Sequence, residues 1–81
     1  MKYFVYILFS ESIDKYYIGY TLDVNARLIK HNFGGTKSTC KGKPWRIVYT
    51  EEYNTKTDAI KREIQIKKKK SRKYIEWLIT H

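Results

Sequence analysis

A single cysteine, Cys40, leaves no route to a disulfide framework or a thiolate metal cluster. It is read as a bystander. No apolar run approaches the length that spans a bilayer, and Met1-Lys2 leads straight into what reads as a core strand rather than a signal peptide. These absences predict a soluble protein of the reducing cytoplasm. Internal repeats, linkers and any shift of composition are missing too, so residues 1–81 are expected to form one domain. A chain of this size buries only about 60% of the surface that its unfolded form exposes, enough for one compact core. Acids are scarce: 8 Asp and Glu stand against 17 Lys and Arg, a formal net charge of +9. Such an excess points to a polyanion or an anionic surface as partner.

The cations are unevenly placed. Lys61, Arg62, Lys67, Lys68, Lys69, Lys70, Arg72 and Lys73 share a segment whose only acid is Glu63, so a positive field is focused around that carboxylate. A solvated face near a helix C-terminus would account for the same run. Lys37, Lys41 and Lys43 add a second basic stretch within Thr36 to Pro44 (TKSTCKGKP), which lacks periodicity and reads as a mobile loop. Lys37, Lys41, Lys43, Lys67, Lys68, Lys69 and Lys70 are therefore candidate nucleic-acid contacts. No base-reading element accompanies them, so binding through them would follow charge rather than sequence.

Lys2 to Phe9 (KYFVYILF) is almost wholly apolar, β-branched and aromatic, which suits a central strand buried on both faces. After a turn at Ser10 to Asp14, Lys15 to Thr21 (KYYIGYT) returns as an antiparallel partner. Asp23 caps a helix through about Asn32, with Val24 and Leu28 as its core stripe, Arg27 and His31 sharing its edge, and Gly34-Gly35 stopping it. Trp45 to Glu51 (WRIVYTE) forms a third strand. Thr55 or Thr57 caps the helix that carries Glu63, and Ser71 caps a last helix that docks Ile75, Leu78 and Ile79. Both tryptophans, Trp45 and Trp77, are expected in the core. The fold class is α/β (α+β), a three-stranded antiparallel sheet flanked by helices.

On the helical wheel Glu63 falls inside the apolar stripe, with Ile60 and Ile64 to one side and Ala59 and Ile66 to the other. A carboxylate there needs either a cation such as Lys67 one turn on or a bound metal, because an unpaired buried charge costs several kcal/mol.

Phe4-Val5-Tyr6 followed by Tyr17-Ile18-Gly19 resembles the paired signature of the GIY-YIG nuclease family. Arg27 stands eight residues after Gly19, where that family places its arginine, and Glu63 in Ala59-x-x-x-Glu63 stands where its helical glutamate falls. The ordered set Tyr6, Tyr17, Gly19, Arg27, His31 and Glu63 spreads the resemblance over nearly the whole chain, and most resembles the small stand-alone members. Phe4 replaces the first glycine of the signature, a departure expected to touch strand packing more than chemistry.

The resemblance implies an endonuclease that hydrolyses DNA phosphodiester bonds with Mg²⁺ or Mn²⁺, in DNA repair or processing. RNA is a possible substrate, no membrane is involved, and the protein is a monomer or homodimer. Glu63 would be the sole protein ligand of the metal. Arg27 offers a planar fork for phosphate oxygens. Tyr17 is the implied general base or water-positioning group, and Tyr6 the residue that orients water or holds phosphate. His31 would relay a proton or bind phosphate. Gly19 reads as a bulge or a site of close packing, and in the implied enzyme its missing side chain would let a phosphate approach the sheet. The alternative is a nucleic-acid-binding module of the same fold without turnover.

Overall fold

The computed structural model of the protein describes residues 1–34 and 41–81. Its elements run β1 (Tyr3–Ser10), β2 (Lys15–Thr21), α1 (Val24–Phe33), β3 (Trp45–Tyr53), α2 (Lys56–Lys69) and α3 (Arg72–Thr80). The strands form one antiparallel sheet in the order β2-β1-β3. β1 is therefore central, as its unbroken apolar sequence predicts. Alternation along it feeds two cores. Val5 and Ile7 pack with Ala59, Ile66 and Leu78 of α2 and α3, while Tyr6 and Leu8 pack with Trp45 and with Val24 and Leu28 of α1.

Side chains fix the helix starts. Asp23 accepts from the Ala26 N–H at 3.0 Å, Thr55 from Asp58 at 3.2 Å and Ser71 from Tyr74 at 3.1 Å, so Thr55 rather than Thr57 caps α2. Lys70 closes α2 in the left-handed region, at φ 46°. Gly34 ends α1. The other expected stop, Gly35, lies outside the described residues, as do Lys37, Cys40 and most of the expected loop.

Two expectations about the core fail. Trp77 is 52% exposed: α3 turns Leu78 inward, with Tyr74 and Ile75 beside it, and Trp77 stacks outside on Tyr74 and His81. Ile64 is 44% exposed, because the buried line of α2 runs through Ala59 and Ile66 and passes through Glu63 rather than Ile64.

β3 also runs to Tyr53, past the expected end at Glu51, and this extension builds a polar clamp. The Glu51 carboxylate accepts a two-pronged bond from Arg62 of α2, with Nε at 2.8 Å and Nη2 at 3.1 Å. It also accepts the hydroxyls of Tyr49 and Tyr53, the latter at 2.6 Å. Burial pushes the Glu51 carboxyl up, but the bonds from Arg62, Tyr49 and Tyr53 outweigh it and hold the group below its ordinary value. Burial, then donation to that carboxylate, pushes both phenols up to about 12. The carboxylate's contribution to stability is thus complete above the ordinary glutamate range and lost as pH falls through its lowered value. The phenols' share is complete below their ordinary value of 10.0 and lost as pH rises toward about 12.

Arg62→Met removes the cation and leaves the carboxylate in place. It should cost about 3 kcal/mol at neutral pH, the low end for a broken buried pair because both side chains keep some solvent contact. Chemical denaturation at neutral pH and again in acid checks this: the deficit should shrink once Glu51 is protonated.

Candidate active site

The β1–β2 pairing sets the floor of the site. Tyr6 stands opposite Gly19 and Leu8 opposite Tyr17, so Tyr6 and Tyr17 share the α1 face as diagonal neighbours, their rings 6.4 Å apart. α1, started by Asp23, lays Arg27 and His31 over this face. Glu63 comes from α2, in the layer on the other side of the sheet. Tyr6, Tyr17, Gly19, Arg27 and Glu63 nevertheless line one open cleft of about 450 Å³.

Gly19 serves close packing, as one expectation had it, rather than the approach of a phosphate. A Cβ at this position would lie 2.5 Å from Tyr6 Oη and 2.7 Å from Cζ, so the missing side chain is replaced by the Tyr6 ring and not by open space for a phosphate. An aromatic ring laid over a cross-strand glycine restores the packing that the glycine lacks. Phe4, at the position of the missing signature glycine, lies outside the cleft and lines a separate hollow with Leu22, Val24 and Ile47. That placement agrees with a packing role.

Burial, reinforced by Tyr17 and Glu63 and opposed by Arg27, raises the Tyr6 phenol far above its ordinary value. Tyr6 keeps its proton and acts as a donor, not a base. Its hydroxyl lies 3.2 Å from His31 Nε2. Burial, helped by the charges of Arg27 and Lys30, lowers the His31 pKa, so the ring is neutral near pH 7 and can accept the phenol proton. His31 is 1% exposed and does not line the cleft. It cannot touch a phosphate there, which removes one of its two expected roles. It braces Tyr6 through the hydrogen bond and Tyr17 through a ring contact at 4.9 Å.

Glu63 meets both of the partners considered for it. One oxygen lies 3.6 Å from Lys67 Nζ, yet the side chain, 15% exposed, faces the cleft beside Arg27. Among the described residues no group of three or more His, Cys, Asp or Glu could hold a metal ion. A divalent ion at Glu63 would therefore take one carboxylate, with water and substrate oxygens completing its shell. That donor set fits Mg²⁺ or Mn²⁺ and is too poor for a structural zinc.

The basic residues divide. Lys67 and Lys70 line a different hollow, against β2 and the start of α3, and Lys68 and Lys69 are exposed at the same end of α2. Lys41 and Lys43 are exposed at the β1–β2 turn end of the sheet, where the Lys43 carbonyl accepts from Ser12. Among the described residues, the lysine that lines the cleft is Lys56, which sequence reasoning passed over. A signal was available: Lys56 precedes Glu63 by two helical turns, which puts both on one face.

Gly19→Ala should destabilise the protein by about 1–3 kcal/mol through overpacking, and push the Tyr6 ring off His31. The penalty should largely vanish in a Tyr6→Ala background. Thermal melts of the two single variants and the double variant measure that coupling.

Residues 2–75 match the model of the GIY-YIG catalytic domain. A UPF0213 protein of Staphylococcus epidermidis is 51% identical over 67 residues, covering 82% of this chain and 80% of that protein. A UPF0213 protein of Staphylococcus aureus is 49% identical over the same length and the same shares. The solution NMR structure of a UPF0213 protein from Bacillus halodurans superposes with a TM-score of 0.60 at 37% identity, over 99% of this chain and 84% of that one. With the paired strand signature, Arg27 and Glu63 gathered at one cleft, the chain belongs to the GIY-YIG catalytic-domain family, as a small member.

Proposed function

We propose that the protein is a Mg²⁺-dependent endonuclease that hydrolyses phosphodiester bonds of DNA. The observation that carries this reading is the convergence of Tyr6, Tyr17, Arg27 and Glu63, from two strands and two helices, on one cleft. Packing alone gives no reason for a phenol, a guanidinium and a carboxylate to meet at an open surface. The net charge of +9 suits a polyanionic substrate.

Hydrolysis joins a water oxygen to phosphorus and breaks one phosphorus–oxygen ester bond, so the site must orient the water, offset charge on the phosphoryl oxygens and help the leaving oxygen. Glu63 would hold the metal, whose contribution when bound is Lewis-acid stabilisation of the phosphoryl and leaving oxygens. Arg27 supplies a fork to two phosphate oxygens. Tyr6, whose single proton is donated to His31, accepts a hydrogen bond from the water on its hydroxyl oxygen and so helps to orient it. Tyr17 takes the water's proton when it is a phenolate, or as the phenol fixes the water's direction. Lys56 adds a cation at the rim.

Glu63→Gln should abolish Mg²⁺-dependent cleavage while DNA binding persists. Its stability should stay within about 1 kcal/mol of the parent, because the half-exposed Lys67 makes a weak pair. Single-turnover cleavage of labelled single-stranded, duplex and branched DNA, set beside thermal melts in EDTA, reads both quantities. A variant that is destabilised but fully active would sink the metal-site reading.

Tyr17→Phe keeps the ring and loses the hydroxyl. Cleavage should slow by about 10² to 10⁴ with folding and affinity unchanged. Turnover at the parental rate would move the water-directing role to Tyr6.

A further inference from the structure

The hollow that holds Lys67 and Lys70 has a volume of about 420 Å³ and lies where β2 meets the α2–α3 junction. Its floor is apolar, made by Ile18, Ile66, Ile75 and the ring of Tyr16. Cations rim it. Arg72 is committed to Asp14 at 2.6 Å and lies 5.2 Å over the Tyr16 ring, and Lys67 is committed to Glu63. Among the described residues Lys15 and Lys70 have no such acid partner, and both are exposed. A flat apolar floor with free ammonium groups at its edge complements a nucleobase with its phosphate. It complements neither a bare anion nor an uncharged apolar segment.

Continuity with the cleft supports the same occupant. Along β2, Tyr16, Ile18 and Tyr20 share the face toward α2; Tyr20 lines the cleft, and Tyr16 and Ile18 line the hollow. On α2, Glu63 lines the cleft and its partner Lys67 lines the hollow. From Glu63 to Lys70 the helix rises about 10 Å, or about three nucleotide steps at the roughly 3.4 Å spacing of a strand still stacked up to the subsite. A base inside a duplex is stacked and paired and cannot lie flat on such a floor. An unpaired base can.

We infer that this hollow is a subsite for one unpaired nucleotide of the strand that leaves the cleft, about three nucleotides from the bond held at Glu63. The base lies on Ile18 and Ile75, beside the Arg72-covered ring of Tyr16, and the phosphate meets Lys15 and Lys70. The assignment rests on the cleft being a nucleic-acid site. Substrates with a single-stranded arm would then be preferred over fully paired ones.

The test is equilibrium binding in EDTA, by fluorescence anisotropy, of a blunt duplex and of the same duplex carrying a short single-stranded arm. The parent protein should bind the armed duplex about tenfold more tightly. Lys15→Ala combined with Lys70→Gly should weaken both complexes but bring their ratio close to one. Glycine suits the left-handed conformation at position 70, so the C-cap of α2 survives. A 2-aminopurine about three nucleotides into the arm should change fluorescence on binding the parent and not on binding the variant. Equal binding of both DNAs by the parent, or an unchanged ratio in the variant, would overturn the subsite. Because the assay contains no metal and reads affinity alone, failed cleavage elsewhere leaves this outcome standing, and equal binding here leaves the cleavage reading intact.

Discussion

Burial of β1 on both faces is the constraint from which the site follows. Val5 and Ile7 are held by α2 and α3, and Tyr6 and Leu8 by α1, each with almost no solvent contact. A strand so enclosed cannot shift without emptying two cores, so Tyr6 is anchored by its neighbours in the chain as much as by its own contacts. Its hydroxyl is the fixed point against which His31 rests. The phenol is thereby placed in surroundings that raise its pKa and hold its proton.

Helix α2 divides its charges between structure and chemistry. Arg62 and Glu63 are adjacent in sequence, but successive helical residues point about 100° apart. Arg62 locks onto Glu51 and its two tyrosines, tying α2 to the outer strand β3. Glu63 faces the cleft with a partly exposed lysine beside it. The first is enclosed and fully satisfied; the second keeps coordinating capacity toward solvent. A clamp one residue away from Glu63 fixes the helix in rotation, and so sets where the Glu63 carboxylate points.

The strands, the helix order and the meeting of Tyr6, Tyr17, Arg27 and Glu63 were legible because each has a local signature: the unbroken apolar run of β1, caps at Asp23 and Ser71, and the spacing of the paired motif. What escaped depends on contacts distant in sequence. The Glu51 clamp needs β3 to face α2, and nothing in WRIVYTE marks Glu51 as inward. Trp77 was placed in the core on its size, yet rotation of α3 about Leu78 turns it outward. Lysines 67 to 70 look like one patch as a string of letters, while the helix end places them beside a hollow separate from the cleft. The use of Gly19 was half legible: close packing was foreseen, but the ring that occupies the space belongs to the facing strand.

The fit of Tyr6 over Gly19 also acts as a key for hairpin alignment. A slip of one residue would turn β2 inside out and is opposed by both cores. A slip of two preserves the faces, so hydrophobic pattern alone discriminates weakly against it. Such a slip would bring Tyr17 or Thr21 beneath the Tyr6 ring, where not even a single carbon fits in the native alignment. Only one alignment of these two strands lets the ring lie flat, so the residue pair at the floor of the cleft also selects the pairing that creates the cleft.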